Sequence, residues 1–551
     1  MADDLIARAR AWAEQDPDPR TRKELEELAD RADEPEARAD LEDRFRGTLQ
    51  FGTAGLRGAL GAGPNRMNRV VVSRTAAGLA AYLNQQGLRQ QGETGPVVIG
   101  YDARHDSDVF ARDTAEVLTG AGLRALVLPR PLPTPVLAFA IRELGCSAGV
   151  MVTASHNPPQ DNGYKVYLGD GSQIVPPADT EIAAAIEAVG PPTGIPRDTP
   201  GEVLGDDLAD RYVDTVAGLV DDGPRRLRIV HTALHGVGSA TVLRVLERAG
   251  FTDVHPVAVQ AQPDPDFPTV AFPNPEEPGA MDAALALAAE VDADLVVAND
   301  PDTDRCAVAC PGPHGWQMLR GDEVGVLLAA HLLDRGRHGV YAQSIVSSSL
   351  LGAMARRAGQ PHRETLTGFK WIGRIDGLAY GYEEALGYCV DPAHVRDKDG
   401  VSAALLVCEL AARARADGRT LRDLLDDIAG DFGLYATDQL SVRFDDTTAI
   451  TATMQRLREA PPSDLGGLAV RGVDDLAVGS ADLPPTDGLR YRLDHDARVI
   501  VRPSGTEPKL KCYLEVVVPV DADDGGVDAA RIVAAGRLDA IRSDVHAAAG
   551  L

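Results

Sequence analysis

Short apolar runs that end in polar or glycine-rich loops recur along most of this 551-residue chain. Such runs end at Tyr101, Thr153, His231 and Asn299, and a segment with helical spacing often follows. Apolar strands that alternate with helices are typical of α/β units, whose largely parallel sheets are covered on both faces. Polar residues directly after such strands lie where α/β proteins place reactive groups.

Changes in composition and in the spacing of apolar residues divide the chain into segments. Residues 4–45 are charged and have helical spacing, proline-rich stretches occupy 190–201 and 262–279, and residues beyond about 437 alternate like strands around one loop. The stretch 262–279 predicts a long ordered loop. The predicted fold is α/β, with three mixed-sheet α/β domains of similar topology and a C-terminal α+β domain. The predicted domains are an N-terminal helical extension over 1–45, domain I over 46–205, domain II over 206–314, domain III over 315–436 and domain IV over 437–551.

The charge balance restricts the partners. With 83 Asp and Glu against 55 Lys and Arg, the formal net charge is −28. An acidic chain is a poor ligand for nucleic acid or an anionic membrane, so we expect neither. An anionic substrate would need a locally positive pocket. The N-terminus does not read as a signal peptide, no apolar run approaches the roughly 20 residues of a membrane helix, and the six cysteines are scattered. We expect buried thiols and a cytoplasmic protein.

The segment 153–158 (TASHNP) places Ser155 just after the apolar run AGVMV. The Asn-Pro pair stops a helix and holds the loop open. Without the spacing G-x-S-x-G, a hydrolase triad is unsupported. Lys165 follows on a predicted hairpin close to Ser155. A plain turn that caps a strand, and a surface lysine, are the alternatives.

Three carboxylates, Asp300, Asp302 and Asp304, follow the apolar run DLVVAN. At this spacing they repel one another, and hard oxygen ligands favour Mg²⁺ or Ca²⁺. An EF-hand is excluded because Arg305 and Pro311 stand where it needs Gly and Glu. A haloacid-dehalogenase-type loop would have Thr or Val in place of Asp304. The sequence predicts a compact Mg²⁺ loop with Arg305 beside it for phosphate; a solvated acidic turn is the alternative.

Loops near the two ends of the chain combine glycine with cationic side chains. Residues 502–509 (RPSGTEPK) offer backbone N–H groups, hydroxyls and a guanidinium to an anion, and residues 52–58 (GTAGLRG) contain an arginine. Alone, each would be read as an ordinary turn. Paired glutamates at 383 and 384 suit sugar hydroxyls, again with a solvated turn as the alternative.

Together these segments resemble the α-D-phosphohexomutase family, which contains phosphoglucomutases, phosphomannomutases and their relatives. The resemblance covers about residues 45–515 in the family's order. TASHNP at 153–158 resembles its phosphoserine loop, NDPDTDR at 299–305 its metal loop, GYEEALGY at 381–388 its sugar-recognition loop and RPSGTEPK at 502–509 its phosphate-binding loop. The segments 52–58, 365–373 and 394–400 also fit.

The resemblance implies four domains around a central cleft and a reversible transfer of phosphate between the 1- and 6-positions of a hexose. Ser155 would carry the phosphate, and glucose 1,6-bisphosphate would be intermediate and activator. Mg²⁺ would be held by Asp300, Asp302 and Asp304 together with a phosphoryl oxygen on Ser155. Arg57, His156 and Lys165 are candidates for proton transfer, with Lys165 favoured. The implied substrate-binding residues are Arg305, Thr367, Gly368, Glu383, Glu384, His394, Lys398, Arg502, Ser504, Gly505 and Thr506.

One departure bears on the sugar. Many phosphoglucomutases have a serine after the paired glutamates, whereas this chain has Ala385, Leu386 and Tyr388. This variant resembles the branch related to phosphopentomutase and glucose-1,6-bisphosphate synthase. We expect a phosphoglucomutase-type enzyme, with phosphomannomutase, phosphopentomutase or bisphosphate synthase activity as alternatives. A silent sugar-phosphate binding protein and a phosphatase are further hypotheses. The expected partners are small sugar phosphates, and the expected state is a monomer or homodimer.

Overall fold

The computed structural model of the protein describes residues 2–52, 55–90, 94–444, 447–480, 483–504 and 509–550. The chain divides into two compact units: unit 1 is Met1–Met318 with Gly387–Arg413, and unit 2 is Leu319–Leu386 with Ala414–Leu551. Among the described residues, no helix combines the length and apolar character that a bilayer crossing requires.

Unit 1 begins with helices α1 (Ala2–Gln15), α2 (Pro19–Asp30) and α3 (Pro35–Phe45). Proline is tolerated in the first turn of α2 and α3, because the N–H groups there have no helical partner. Asp18 caps α2 by accepting from the Arg20 N–H at 2.8 Å. Leu25, Leu41 and Phe45 are buried in the core that the helices share.

The next part of unit 1 forms a mixed sheet in the order β1-β5-β4-β2-β3-β6. Its core strand β4 is buried at every residue, as expected for a strand that helices cover on both faces. Its elements are β1 (Leu56–Ala59), α4 (Arg69–Gln90), β2 (Val97–Tyr101), α5 (Ser107–Gly120), β3 (Ala125–Val127), α6 (Thr134–Glu143), β4 (Ala148–Val152), β5 (Asp161–Leu168), α7 (Ala178–Glu187) and β6 (Glu202–Val203).

A second mixed sheet follows in the order β11-β10-β9-β7-β8. Its elements are α8 (Asp207–Ala217), β7 (Ile229–Thr232), α9 (Ser239–Arg248), β8 (Val254–Pro256), α10 (Asp282–Glu290), β9 (Leu295–Ala298), β10 (Ala307–Gly312) and β11 (Gly315–Met318). The stretch 262–279, predicted as a long ordered loop, lies within a connection of residues 262–281, all of them described, which contains neither helix nor strand.

Unit 2 contains strands β12, β13 and β14, with β12 pairing in parallel with both neighbours. An antiparallel sheet follows in the order β16-β21-β20-β19-β18-β17. The elements from 319 onward are α11 (Gly321–Asp334), β12 (Val340–Ser344), α12 (Leu350–Arg357), β13 (His362–Thr365), α13 (Phe369–Ile372), β14 (Leu378–Glu383), β15 (Gly387–Cys389), α14 (Gly400–Ala416), α15 (Leu421–Phe432), β16 (Leu434–Arg443), α16 (Thr447–Glu459), β17 (Asp464–Leu465), β18 (Leu468–Asp475), β19 (Leu489–Leu493), β20 (Arg498–Pro503), β21 (Lys509–Val518) and α17 (Gly526–Ala548).

The predicted fold class is confirmed: α/β segments precede a C-terminal segment built on an antiparallel sheet with α17 packed against it. The predicted burial of all six cysteine thiols is also confirmed. The alternation of apolar runs with loops therefore identified the architecture, because each run became a buried strand with its loop at the strand's carboxyl end.

Candidate active site

Ser155 lies in the loop that follows β4, in a strained and buried position. Its backbone has φ 55, the left-handed region that a side chain disfavours. The Ser155 N–H donates to Thr153 Oγ1 at 2.9 Å, and its Oγ donates to Asp300 Oδ2 at 2.9 Å. Arg305 Nη1 donates to the same Oγ at 2.6 Å. The hydroxyl thus lies between a carboxylate and a guanidinium.

Asp300, Asp302 and Asp304 lie in the loop after β9 and are fully buried. One oxygen from each lies within 4.8 Å of the others. Burial raises the pKa of Asp300, and its two acidic neighbours raise it further. Burial alone would also raise the pKa of Asp304, but Lys165, Lys398 and Arg305 hold it well below its usual range.

The chemistry of this triad fits a hard metal ion. Carboxylate oxygens are the ligands that Mg²⁺ prefers in proteins. Asp302 Oδ1 is buried, yet it accepts no hydrogen bond from any residue that the structure describes. A buried anionic oxygen without a partner is costly unless a cation satisfies it. The triad could therefore hold a metal ion.

Buried cations face the triad. Lys165 Nζ donates to Asp302 Oδ2 at 2.7 Å and to Asp304 Oδ2 at 2.8 Å. Lys398 Nζ lies 3.2 Å from the same Asp304 oxygen. Burial would lower the pKa of Lys165, but Asp302 and Asp304 raise it well above its ordinary value, so the lysine is charged. Buried cations thus lie in direct contact with the acidic triad beside Ser155.

The strand register explains why Lys165 and Arg57 lie here. Strand β5 runs antiparallel to both β4 and β1, pairing Lys165 with Met151 and Gly163 with Arg57. Arg57 Nη1 donates to Asn157 Oδ1 at 3.0 Å, which ties it to the Ser155 loop. The predicted hairpin at Lys165 is confirmed.

His156 follows Ser155 in the chain, and its ring lies close to the Ser155 hydroxyl. Its Nδ1 is 3.3 Å from Ser155 Oγ. Burial lowers the pKa of His156 well below its usual value, and Arg305 and Arg57 lower it further. His394, by contrast, is about half exposed: its Nδ1 lies 2.6 Å from Asp391, and its ring lies 6.4 Å from that of Phe139.

In unit 2 the paired glutamates accept hydrogen bonds from backbone and side-chain donors. Glu383 Oε1 accepts from the Gly368 N–H at 2.6 Å. Glu384 Oε2 accepts from Ser347 Oγ at 2.9 Å and from Ser344 Oγ at 3.1 Å. Burial raises the pKa of Glu384, and Glu383 raises it further. Gly368 has φ 108, a conformation that favours glycine.

The other predicted residues of unit 2 lie partly outside the described chain. Thr367 and Arg502 are half-buried, and the Ser504 N–H donates to the Lys509 carbonyl at 2.8 Å. Burial raises the pKa of the Tyr513 hydroxyl. The negative charge of Glu384 raises this pKa further, and the positive charge of Arg502 lowers it. Gly505 and Thr506 lie outside the described residues.

Several contacts to the candidate site escaped sequence analysis. Thr134 Oγ1 donates to Asp302 Oδ2 at 2.7 Å from a helix far away in the chain. Arg104 contacts the Ser155 loop, and Ser344 and Ser347 hold Glu384. Of these residues, only Arg104 could have been suggested by the sequence, because it follows the end of a predicted strand. The remaining contacts depend on tertiary structure.

Family models match the chain in four successive parts. They are described as phosphoglucomutase/phosphomannomutase α/β/α domain I over residues 48–191, domain II over 210–313 and domain III over 320–432, followed by the C-terminal domain over 449–529. The resemblance predicted from the sequence motifs is confirmed.

Named relatives differ in the sugar. A protein of Haemophilus influenzae named "Probable phosphomannomutase" is 47% identical over 83% of this chain and 95% of its own length. A "Probable phosphoribomutase" of Schizosaccharomyces pombe is 37% identical, with 91% and 92% covered. A "Phosphoglucomutase" of Staphylococcus haemolyticus is 35% identical, with 87% and 92% covered.

Solved structures share the fold. A phosphoglucomutase/phosphomannomutase family protein from Burkholderia thailandensis superposes with a TM-score of 0.69 at 22% identity, covering 90% of this chain and 97% of that one.

Proposed function

This chain belongs to the phosphoglucomutase/phosphomannomutase family, and from that premise we propose a phosphohexomutase that interconverts glucose 1-phosphate and glucose 6-phosphate. The enzyme is an intramolecular phosphotransferase of the isomerase class. Ser155 is the phosphorylated residue, and a 1,6-bisphosphate is the intermediate. The domain division of the sequence analysis is part of the proposal.

One observation carries the proposal: the Ser155 hydroxyl lies between Asp300 and Arg305, beside a buried acidic triad. Phosphoryl transfer depends on positioning the reacting groups and neutralising their charge, and it requires little covalent chemistry from the protein. Arg305 Nη1, at 2.6 Å from Ser155 Oγ, is placed to neutralise a phosphoryl group on that oxygen. Lys165 and Lys398 add positive charge within the same buried site.

Mg²⁺ is the metal that we propose for Asp300, Asp302 and Asp304, with a phosphoryl oxygen on Ser155 as a further ligand. When bound, it would neutralise negative charge on the phosphoryl group. The orphaned Asp302 Oδ1 supports this assignment. Glucose 1,6-bisphosphate is the proposed activator, because it can phosphorylate Ser155 when the enzyme has lost its phosphate.

In the transfer step, a free sugar hydroxyl forms a bond to phosphorus while the bond from phosphorus to Ser155 Oγ breaks. The proton of the sugar hydroxyl leaves in the same step, and the departing Ser155 Oγ takes up one proton, so that the serine ends the step as a hydroxyl. The return step reverses these bonds at the other end of the bisphosphate. Lys165 is our candidate for the proton transfer: charged beside Asp302 and Asp304, it would give a proton to the departing Ser155 Oγ and regain one from the sugar hydroxyl. Arg57 and His156 are the alternatives, since all three lie around the Ser155 loop.

The substrate-binding residues of the sequence analysis are kept as part of the proposal. Glu383 and Glu384 would accept hydrogen bonds from sugar hydroxyls, and Thr367, Gly368, His394 and Lys398 would line the sugar side. Arg305 would contact the reacting phosphate. The second phosphate would be held by Arg502, Ser504, Gly505 and Thr506.

The proposal is tested by ³¹P NMR. The purified protein receives Mg²⁺, a trace of glucose 1,6-bisphosphate, and glucose 1-phosphate, mannose 1-phosphate and ribose 1-phosphate together. We expect glucose 6-phosphate to form well ahead of the other products. A faster mannose or pentose product would overturn the assigned sugar and match the names of two relatives. Rapid release of inorganic phosphate would instead indicate a phosphatase, and no turnover a binding protein.

A further inference from the structure

Arg104 holds the backbone of the Ser155 loop, and no motif of the proposed reaction includes it. Arg104 follows β2, and its side chain is 1% exposed. Nη2 donates to the carbonyl oxygens of Ser155 at 2.7 Å and Asn157 at 2.5 Å. Nη1 donates to the carbonyl oxygens of Pro158 at 2.8 Å and Asp161 at 3.1 Å. One guanidinium thus gathers carbonyls from a seven-residue stretch that starts at the nucleophile.

This arrangement uses what only arginine offers. A guanidinium has two N–H groups on each Nη, held in a rigid planar fork. Lysine has three donors on one nitrogen and cannot reach carbonyls spread around a loop in the same plane. Because carbonyl oxygens accept without carrying a full charge, the guanidinium acts on loop shape rather than on loop charge.

The loop needs such support because Ser155 has φ 55. A non-glycine residue persists in this conformation only where the surrounding structure holds it. The Ser155 carbonyl is itself an acceptor of Arg104, so the contact acts directly on the strained residue. The direction of Ser155 Oγ toward Asp300 and Arg305 depends on that backbone conformation.

The long connection of residues 262–281 places an aromatic ring against the Arg104 guanidinium. The Phe267 ring lies 4.9 Å from the Arg104 guanidinium carbon, within the range of a cation–π contact. Phe267 is buried and has φ 45. His105 Nε2, next in the chain, lies 2.8 Å from Asp266 Oδ1. The connection is thus anchored on both residues of the Arg104–His105 pair.

Asp102, which directly follows β2, holds Arg104 in place. Asp102 Oδ1 accepts from the Arg104 N–H at 3.0 Å and from Ser107 Oγ at 2.7 Å, and Asp102 Oδ2 lies 3.3 Å from Arg104 Nε. The guanidinium is therefore held by an acidic partner behind it and by an aromatic ring on its face.

We propose that Arg104, stacked on Phe267, is a positioning residue that holds Ser155 in its left-handed conformation and so aligns the nucleophile for phosphoryl transfer. The long proline-rich connection of residues 262–281 serves this purpose by placing Phe267. The proposal rests on the proposed function for its kinetic consequence, but the conformational part stands on the contacts alone.

The test compares Arg104→Lys with Arg69→Lys. Arg69 makes a two-pronged contact with Asp113, at 2.7 Å for each nitrogen, and among the described residues its side chain makes no hydrogen bond to the Ser155 loop. We expect Arg104→Lys to lower kcat about 100-fold while KM for glucose 1-phosphate stays within about threefold, because small misplacements of reacting groups have effects of this size. Arg69→Lys should leave kcat within about twofold.

A second readout does not depend on turnover. Hydrogen exchange of backbone amides in a peptide spanning residues 153–161 should speed up at least about tenfold in Arg104→Lys and not in Arg69→Lys. If Arg104→Lys does not fold, Phe267→Leu replaces it. Leucine removes only the ring contact, so we expect kcat to fall about three- to tenfold with KM unchanged. Phe272→Leu, on a half-exposed ring of the same connection, is its control.

Unchanged exchange over 153–161, kcat within threefold of wild type, or equal losses in Arg104→Lys and Arg69→Lys would each overturn the proposal. If the wild-type protein converts no sugar phosphate, the proposed function fails, and the exchange measurement alone then decides the role of Arg104.

Discussion

The Ser155 region of unit 1 and the Glu384 region of unit 2 treat buried charge differently. Around Ser155, the acidic triad is matched by Lys165, Lys398 and Arg305 within direct contact. Around Glu384, the contacts are serine hydroxyls. The first region is a network of full charges, and the second is a carboxylate held by neutral donors.

This difference indicates how strongly each region should respond to the loss of one side chain. Removing one member of a buried ion network leaves an uncompensated charge and costs about 3–5 kcal/mol. A hydrogen bond from a neutral donor to a charged group contributes only about 1.5–3 kcal/mol. We therefore expect the Ser155 region to be the less tolerant of change. Under the proposed function, the Glu384 region would exchange serine hydroxyls for sugar hydroxyls. The predictions below test this contrast.

The largest effect is expected for Ser155→Ala. Because the hydroxyl is the proposed nucleophile, we expect kcat to fall at least about a thousandfold. Intact-mass measurement should find phosphate on the wild-type protein and none on the variant. Ser147→Ala, on a partly buried serine just before β4, is the control and should keep both activity and phosphate. Full activity of Ser155→Ala would refute the assignment.

Metal removal should have the next largest effect. Treatment with a chelator should lower the rate at least about a hundredfold, and added Mg²⁺ should restore it. Asp302→Asn should raise the Mg²⁺ concentration for half-maximal rate about tenfold or more, because it removes charge from the triad. Glu384→Gln should leave that concentration unchanged. If both variants shifted it equally, the contrast between the two regions would fail.

Loss of a serine beside Glu384 should have a moderate effect. Ser347→Ala removes the donor at 2.9 Å from Glu384 Oε2, and we expect kcat/KM for glucose 1-phosphate to fall about 5- to 30-fold. Steady-state kinetics on glucose, mannose and ribose 1-phosphates would show whether the loss differs between sugars. The exposed Ser441→Ala is the control. An unchanged kcat/KM would mean that Glu384 is held without this hydroxyl.

The last prediction concerns stability and pH in unit 2 rather than a reaction rate. Burial raises the pKa of Asp322 from 3.8 to about 7, although the Ser348 N–H donates to it at 2.7 Å; Glu384 and Glu515 raise it further. Because the folded state binds this proton more tightly, stability is highest at low pH and is lost as pH rises. The expected loss is about 1.4 kcal/mol per pH unit between 3.8 and about 7.

Urea unfolding of unit 2 at several pH values would measure this slope. In a Trp12→Phe, Trp316→Phe background, the fluorescence of Trp371 reports on unit 2. Asp322→Asn should flatten the slope and be the more stable protein at pH 8. A slope that persists in Asp322→Asn would assign the proton to another buried carboxyl group.

Much of the candidate site could be predicted from local sequence. Ser155 and the acidic triad each follow an apolar run, and a buried strand with a polar loop at its carboxyl end produces that pattern. The family motifs added Glu383, Glu384 and Arg502, each within a short segment that can be recognised in the sequence. Hydrophobic periodicity and turn chemistry act over a few residues, so they are visible in the printed sequence.

Only the tertiary structure decided which side chains act together. Thr134 reaches Asp302, Arg104 gathers the carbonyls after Ser155, and Lys398 lies against Asp304, although long stretches of chain separate these partners. The family motifs did not indicate that serines hold Glu384. Contacts between residues that are distant in the chain follow from strand register, crossovers and packing. A local sequence pattern carries no information about them. The sequence by itself therefore determined the reactive groups and the fold class, and the packing of the elements determined how those groups are oriented.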